Sequence, residues 1–308
     1  MNIPSKKLQT TVLSAAVTLA LGLSTTTYAQ TASEVVNSLK NKAVGATESF
    51  VNGSLNDFAN QFGEGNTEIS IRKVKGDESD YSIVTTQPIT DDKKIFWQGS
   101  LGSYDQSGDR RTTLNIGLGT RWLSDDEKAI AGINLFYDYE FSSLHRRYSI
   151  GGEYKRSNVE LNVNKYFALS DKQSVKGTDE EALSGYDIFF KGQLPYLPWA
   201  KFVAKEYRWE RTNQADVDGS YYGLEAYLTP KAKLEIGKQD DNYMNPETYS
   251  KLTYAFGPNG DHASLFDSAI ATVAYQDGEN MKNKMLTKVE RSNKIIVEFG
   301  GISLSRTD

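Results

Sequence analysis

From about Thr67 onward, apolar and polar residues alternate with a period of two. The clearest run is Ala129 to Phe141. Ala129, Ala131, Ile133, Leu135, Tyr137, Tyr139 and Phe141 form one phase, and Ile130, Gly132, Asn134, Phe136, Asp138 and Glu140 the other. Successive side chains of a strand point to opposite faces, so the segment has one wholly apolar face and one that is mostly polar or small. The same split sets Leu114, Ile116, Leu118 and Trp122 against Asn115, Gly117, Gly119 and Arg121, and Tyr148, Ile150 and Tyr154 against Ser149, Gly151 and Glu153. It recurs with Val159, Leu161, Val163 and Phe167 against Glu160, Asn162, Asn164 and Tyr166, where Lys165 interrupts the apolar face. Tyr186, Ile188, Phe190 and Leu194 oppose Asp187, Lys191 and Gln193; Tyr222, Leu224, Ala226 and Leu228 oppose Gly223 and Glu225.

Such runs predict twelve strands, at 67–74, 80–87, 94–104, 111–123, 128–141, 146–156, 158–168, 184–194, 199–210, 220–229, 231–241 and 249–256. In the ninth, Lys201 and Lys205 share a face with Val203, Tyr207 and Trp209, which leaves its register open. A soluble antiparallel sheet alternates as well, but three features favour a membrane barrel. The runs have the roughly 9–11 residues that a tilted strand needs to cross a bilayer. Aromatic residues gather toward strand ends, as interfacial girdles require. Short turns, near Pro88–Asp92, Ser124–Glu127, Ser157–Asn158, Pro195–Pro198 and Thr229–Pro230, alternate with longer connections at 169–184, 211–219 and 241–248. An even strand count closes with both ends on one side, and closure leaves no sheet edge unpaired in lipid. The last strand ends Leu252-x-Tyr254-x-Phe256, a pattern similar to the insertion signal of outer-membrane barrels.

Outside the barrel the period changes. Val35, Val36, Leu39, Val44, Phe50, Leu55 and Phe58 recur at roughly helical spacing, which predicts a short periplasmic helical segment over 30–65. Residues 279–291 pattern as a helix, with Met281, Met285, Leu286 and Val289 apolar and Lys282, Lys284, Lys288 and Arg291 basic. Lys294 to Phe299 reads as extended. At the amino end, Lys6 and Lys7, an apolar run from Thr11 to Leu23 and Thr27-Tyr28-Ala29 compose a signal peptide over 1–29. The run is short of the ~20 residues that a spanning helix needs.

Composition fits this picture. Mean hydropathy is −0.53, yet there are 18 Tyr, 13 Phe and 25 Gly, as expected where only alternate residues face lipid. Removing Lys6 and Lys7 with the signal peptide takes the net charge from −5 to −7, which gives no reason to expect nucleic-acid binding. The absence of cysteine excludes a disulfide framework. Enzyme chemistry has little to work with: of the two histidines, His145 lies in a hairpin beside Arg146 and Arg147, and His262 follows the barrel. Both read as solvated loop residues without a nucleophile or acid partner. No metal-ligand cluster is present, so neither catalysis, cofactor nor metal is expected.

The polar-face motifs carry a family resemblance. Gly117-x-Gly119-x-Arg121-Trp122, Gly132-x-Asn134-x-Phe136-x-Asp138, His145-Arg146-Arg147, Gly151-x-Glu153-Tyr154 and Asn164-x-Tyr166 are followed by Gly185-Tyr186-Asp187, Leu194-Pro195-x-Leu197-Pro198 and Tyr222-Gly223-x-Glu225. With the tail Val289 to Ile296, this order resembles the β-domain of the inverse autotransporters, the intimin/invasin family, over about 55–300. The resemblance implies a monomeric, all-β, twelve-stranded antiparallel barrel over 66–257 in the outer membrane of a Gram-negative cell, reached by Sec export. Barrel-assembly machinery and periplasmic chaperones would be its partners, beside outer-membrane lipid. It further implies that residues 258–308 form a linker, a pore helix at 279–291 and an exit strand at 294–304. Gly119, Arg121, Asn134, Asp138, Arg147, Glu153 and Asn164 would line the lumen. Lys282, Lys284, Lys288 and Arg291 would sit on the pore helix, and Leu252, Tyr254 and Phe256 would carry the insertion signal. With no room for a peptidoglycan module before the barrel and none for a surface domain after Asp308, the expectation is a barrel that anchors or exports its own carboxyl-terminal segment. A small porin, whose polar lumen would conduct, is the competing expectation.

Overall fold

Backbone hydrogen bonding turns the alternating runs into one continuous sheet in a computed structural model, which describes residues 65–106, 108–212, 214–257, 262–265, 270–275, 278 and 280–300. The predicted signal peptide and the predicted helical segment, up to residue 64, lie outside the described residues. The strands are β1 (Asn66–Val74), β2 (Asp80–Pro88), β3 (Ile95–Gln106), β4 (Asp109–Leu123), β5 (Ala129–Glu140), β6 (Arg146–Arg156) and β7 (Val159–Ala168). A hairpin, β8 (Gln173–Val175) and β9 (Thr178–Ala182), precedes β10 (Ser184–Leu194), β11 (Leu197–Glu210), β12 (Val217–Tyr227), β13 (Ala232–Asp241) and β14 (Glu247–Phe256). A short β15 (Val297–Phe299) ends the described chain.

Twelve of these strands form a closed antiparallel barrel, each paired with its sequence neighbour apart from β7, which pairs with β10. Closure comes from β1 and β14, in register from Thr67 opposite Phe256 to Val74 opposite Tyr249. Both ends of the barrel therefore lie on one rim, with the turns 89–94, 124–128, 157–158, 195–196 and 228–231. The far rim carries 75–79, 107–108, 141–145, 169–183, 211–216 and 242–246. Loop lengths thus do not strictly alternate, because on the far rim Gln106 pairs with Asp109, with only two residues between β3 and β4. There β8 and β9 form a separate three-stranded sheet with β15, in the order β15-β9-β8.

The molecule is apolar outside and polar inside. Leu118, Ile133, Leu135 and Leu224 expose 54–56% of their surface, whereas Asn115, Arg121, Asp138 and Arg147 expose none. A soluble protein does the reverse, and a lipid-facing barrel requires this arrangement. Pairing also resolves β11. Lys201 lies opposite Glu225 and Lys205 opposite Tyr221, so Lys201, Val203, Lys205, Tyr207 and Trp209 face inward together.

Candidate functional site: the threaded lumen

The chain's own tail threads the lumen. After β14 the chain returns along the rim that carries the barrel's ends. His262 stacks on Tyr227 with ring centroids 4.3 Å apart, and the Met281 amide donates to the Glu127 carbonyl at 2.8 Å. Met281–Lys284 forms a single 3-10 turn, capped by the Asn280 side chain, which accepts from the Lys282 amide. After the turn residues 285–287 the backbone runs from Lys288 through the barrel without helix and emerges at the far rim as β15, hydrogen-bonded to β9 with Val297 opposite Ala182 and Phe299 opposite Glu180.

The expected pore helix over 279–291 is therefore corrected: four residues form a 3-10 turn, 285–287 continue it as turn and bend, and 288–291 run on without helix. The reason is a change of hydrogen-bond partner. Every buried backbone group needs one, and a helix would supply it internally; here the wall supplies it. Gln98 accepts from the Val289 amide at 2.7 Å and donates back to the Val289 carbonyl at 3.4 Å. Asn162 accepts from the Glu290 amide at 3.3 Å, and Asn164 donates to the Glu290 carbonyl at 3.0 Å. The Tyr166 hydroxyl accepts from the Ser292 amide at 2.7 Å, and Arg147 donates to the Ser292 carbonyl at 2.7 Å. Asn115 donates to the Asn293 carbonyl at 2.9 Å and Lys155 to the Lys288 carbonyl at 2.7 Å. The expected exit strand over 294–304 is shorter, at 297–299; residues 301–308 lie outside the described residues.

Side chains add a second set of contacts. Met281 and Met285 pack against Ile130. Leu286 and Val289 pack against Phe96 and Phe136. Ile296 joins Tyr166, Leu183, Tyr207, Trp209 and Val217. Arg291 pairs with Asp138 at 2.8 Å, donates to Ser149 at 3.0 Å and lies over the Phe136 ring at 4.3 Å. Glu290 pairs with Lys191 at 3.1 Å, and Lys288 reaches Glu68 at 3.3 Å. The tail thus brings charges of both signs to a wall that holds both.

The residues singled out from sequence fall as follows. Arg121 forks Glu153, at 2.5 and 3.0 Å, and donates to the Met285 carbonyl. Arg147 bonds Asp138 at 2.8 Å. Asn164 also donates to Asp187 at 2.7 Å. Asn134 is buried beside Gly151, and its side-chain amide has no hydrogen-bond partner among the described residues. Gly119 faces the Phe96 ring so closely that an added Cβ would lie 2.3 Å from it. Lys288 and Arg291 lie inside, Lys284 is buried against His262 at 3.2 Å, and Lys282 stays on the surface, 3.8 Å from Glu127. Leu252 faces outward, and the Tyr254 and Phe256 rings meet at 4.8 Å. Sequence reading did not single out Gln98, Lys155, Asn162, Tyr166, Lys191 or Ser292 as tail partners. Alternation placed Asn162, Tyr166 and Lys191 on the polar face, but nothing local told which of them meets the tail.

His145 corrects a further expectation. It is not solvated but fully buried, with Nδ1 2.9 Å from Ser170 and Nε2 3.6 Å from Glu180. Arg111 grips the same Glu180 with two bonds, at 2.5 and 2.6 Å, and pairs with Glu140 at 3.1 Å. These contacts bolt β9 to the barrel wall. Burial raises the Glu180 carboxyl, but the two hydrogen bonds from Arg111, with the nearby His145, outweigh it and hold the group below its usual range. His262 is also largely enclosed. Burial first, then the Lys284 charge, lowers its imidazole to about 3, so it is neutral.

Comparison with known proteins fits this geometry. The chain is 25% identical over 283 residues to the inverse autotransporter adhesin YeeJ of Escherichia coli K12, covering 84% of this chain and 11% of that protein. It is 30% identical over 226 residues to intimin of Escherichia coli O111:H-, covering 69% of this chain and 23% of that protein. It thus spans under a quarter of the length of either relative. A solved structure described under "Unveiling the Mechanism Behind the in-meso Crystallization of Membrane Proteins" shares the fold at a TM-score of 0.60 and 22% identity, over 76% of this chain and 99% of that one. The family described as "Inverse autotransporter, beta-domain" matches residues 18–293, a stretch that takes in the barrel and the tail as far as Asn293. By that match, which covers barrel and threaded tail together, the chain belongs to the inverse autotransporter β-domain family.

Proposed function

We propose that this barrel, once exported through the Sec pathway and inserted by barrel-assembly machinery, anchors in the outer membrane and passes its own carboxyl-terminal segment outward through its lumen. The tail-entry rim is then periplasmic and the far rim faces outside. The observation that carries the reading is the non-helical path from Lys288 to Phe299, many of whose backbone groups are met by side chains of the wall. Contacts to backbone accept any sequence, as a conduit for an unfolded chain requires. The charged contacts of Lys288, Glu290 and Arg291 are sequence-specific and suit a resting stop. A small porin fits less well, because the tail occupies the space that a porin keeps open. Arg306→Cys tests the reading in a chain without other cysteines. A membrane-impermeant maleimide added to intact cells labels it if the tail is exported; labelling only after lysis sinks the proposal.

A further inference from the structure

A strained residue and an exposed apolar strap meet at the tail-entry rim. Tyr196, in the β10–β11 turn, has φ +65°, a left-handed conformation that strains any residue with a Cβ and that turns normally give to Gly or Asn. Its backbone is held on both sides by the linker: the Tyr196 amide donates to the Ala274 carbonyl at 2.9 Å, and the Ala271 amide donates to the Tyr196 carbonyl at 2.8 Å. Around this clasp the side chains are apolar and turned to the outside. Ile270 exposes 71% of its surface, Val273 52%, Tyr275 50% and Tyr196 itself 48%. Three such side chains on one short strap, with Tyr196 of the turn bonded to it, are unlike singly scattered surface apolar residues and mark an interaction site.

We infer that this strap is an interfacial anchor that beds into the periplasmic-side headgroup region of the lipid bilayer next to β10 and β11. Position is the first support. The clasp is bonded to the turn that joins β10 and β11, two strands whose outward sides expose Ile188, Phe190 and Phe202. Chemistry is the second. Tyrosine with aliphatic residues is the mixture that membrane–water interfaces favour. Charge is the third. Residues 257–280 contain Asp261, Asp267, Asp277 and Glu279 but no lysine or arginine, so attraction to an anionic partner is not what holds the strap, and a zwitterionic lipid surface fits it. Strain at Tyr196 then has a use: the left-handed turn aims an aromatic ring at the interface, and the two linker bonds hold the turn in place. The anchor would also fix the start of the path by which the tail enters the lumen.

Only the naming of the side as periplasmic rests on export of the tail; the lipid contact does not, and the lack of native cysteine makes it directly testable. Ile270→Cys and Val273→Cys, each carrying an environment-sensitive fluorophore, are folded as the full chain into phosphatidylcholine vesicles with bromine near the glycerol end of the acyl chains. Leu224→Cys on the outer wall and Asp125→Cys in the β4–β5 turn serve as lipid-facing and water-facing controls. The expected result is lipid quenching at 270 and 273 of roughly half or more of that at 224, since an interfacial segment sits only about 5–10 Å deep, with iodide quenching well below that at 125. Lipid quenching at 224 but not at 270 or 273 overturns the inference and leaves the barrel reading intact. Shielding from both quenchers also overturns it, because a protein surface, not lipid, then covers the strap. Absence of quenching at 224 overturns the membrane placement itself.

Discussion

At the residue scale, Asp138 is the hinge of the interior. It accepts from Asn115 and Arg147 and pairs with Arg291 of the tail, each at 2.8 Å. Removing one member of a buried charge group strands the others, which typically costs about 3–5 kcal/mol. Asp138→Ala leaves two guanidiniums facing each other without a counter-charge. It should lower the temperature at which the folded form is lost on a heat-modifiability gel, more than Asp138→Asn does. Glu180 permits a pH prediction. Its folded pKa is depressed, so its contribution is present above the unfolded value of about 4.3 and fades as pH falls through the folded value. The β9–β15 contact should therefore hold at neutral pH and loosen only in acid below that unfolded value, read as protease cleavage after Phe299. Glu180→Gln should cleave readily at neutral pH and lose most of the acid dependence. Asp138 and Arg147 were legible as polar-face residues because a strand's side chains alternate. The Arg291–Asp138 pair was not, because 153 residues separate the partners.

At the element scale, the strands were legible and the tail was not. The predicted bounds of β5, β6 and β10 lie within a residue of the observed ones, since period two and lipid on one side leave a strand little choice. The expected pore helix was misread because spacing reports a possible face, not the wall that competes for the backbone. The β8–β9 hairpin passed unnoticed inside a long connection. Its turn is Lys176-Gly177, both at positive φ (51° and 82°), a weaker signal than Asn-Gly. Close packing between strands yields a further prediction. Gly119 lies opposite Phe96, and a Cβ there would meet the ring at 2.3 Å. Gly119→Val must push Phe96 into Leu286 and Val289, a strain of about 1–3 kcal/mol. The variant should stay a barrel but release the tail, seen as faster hydrogen exchange at the Val289 amide than in the parent.

At the scale of the whole molecule, the chain is an outer-membrane β-barrel of a family of anchors, adhesins and translocators, not of enzymes. Its tail makes the lumen a plug, and conductance measures that plug. Deleting residues 281–300 should give open single channels where the parent is largely closed. Lys288→Glu, placed between Glu68 and Glu290 at 3.3 and 3.4 Å from the present ammonium, should open them in part, and adding Lys284→Glu more so; conductance unchanged in both would mean that charge does not seat the tail. The sequence alone determined the barrel, its twelve crossing strands and, β11 apart, which residues of the clearly alternating runs face inward, because each follows from a local rule: alternation, span length and the need to pair every backbone group in lipid. Only the tertiary structure decided that the tail beyond its 3-10 turn is not a helix, which wall residues hold it and where it leaves. Those outcomes are competitions between groups far apart in the chain, and a lumen donor wins a backbone carbonyl from a helix only once closure has brought the two within hydrogen-bond reach.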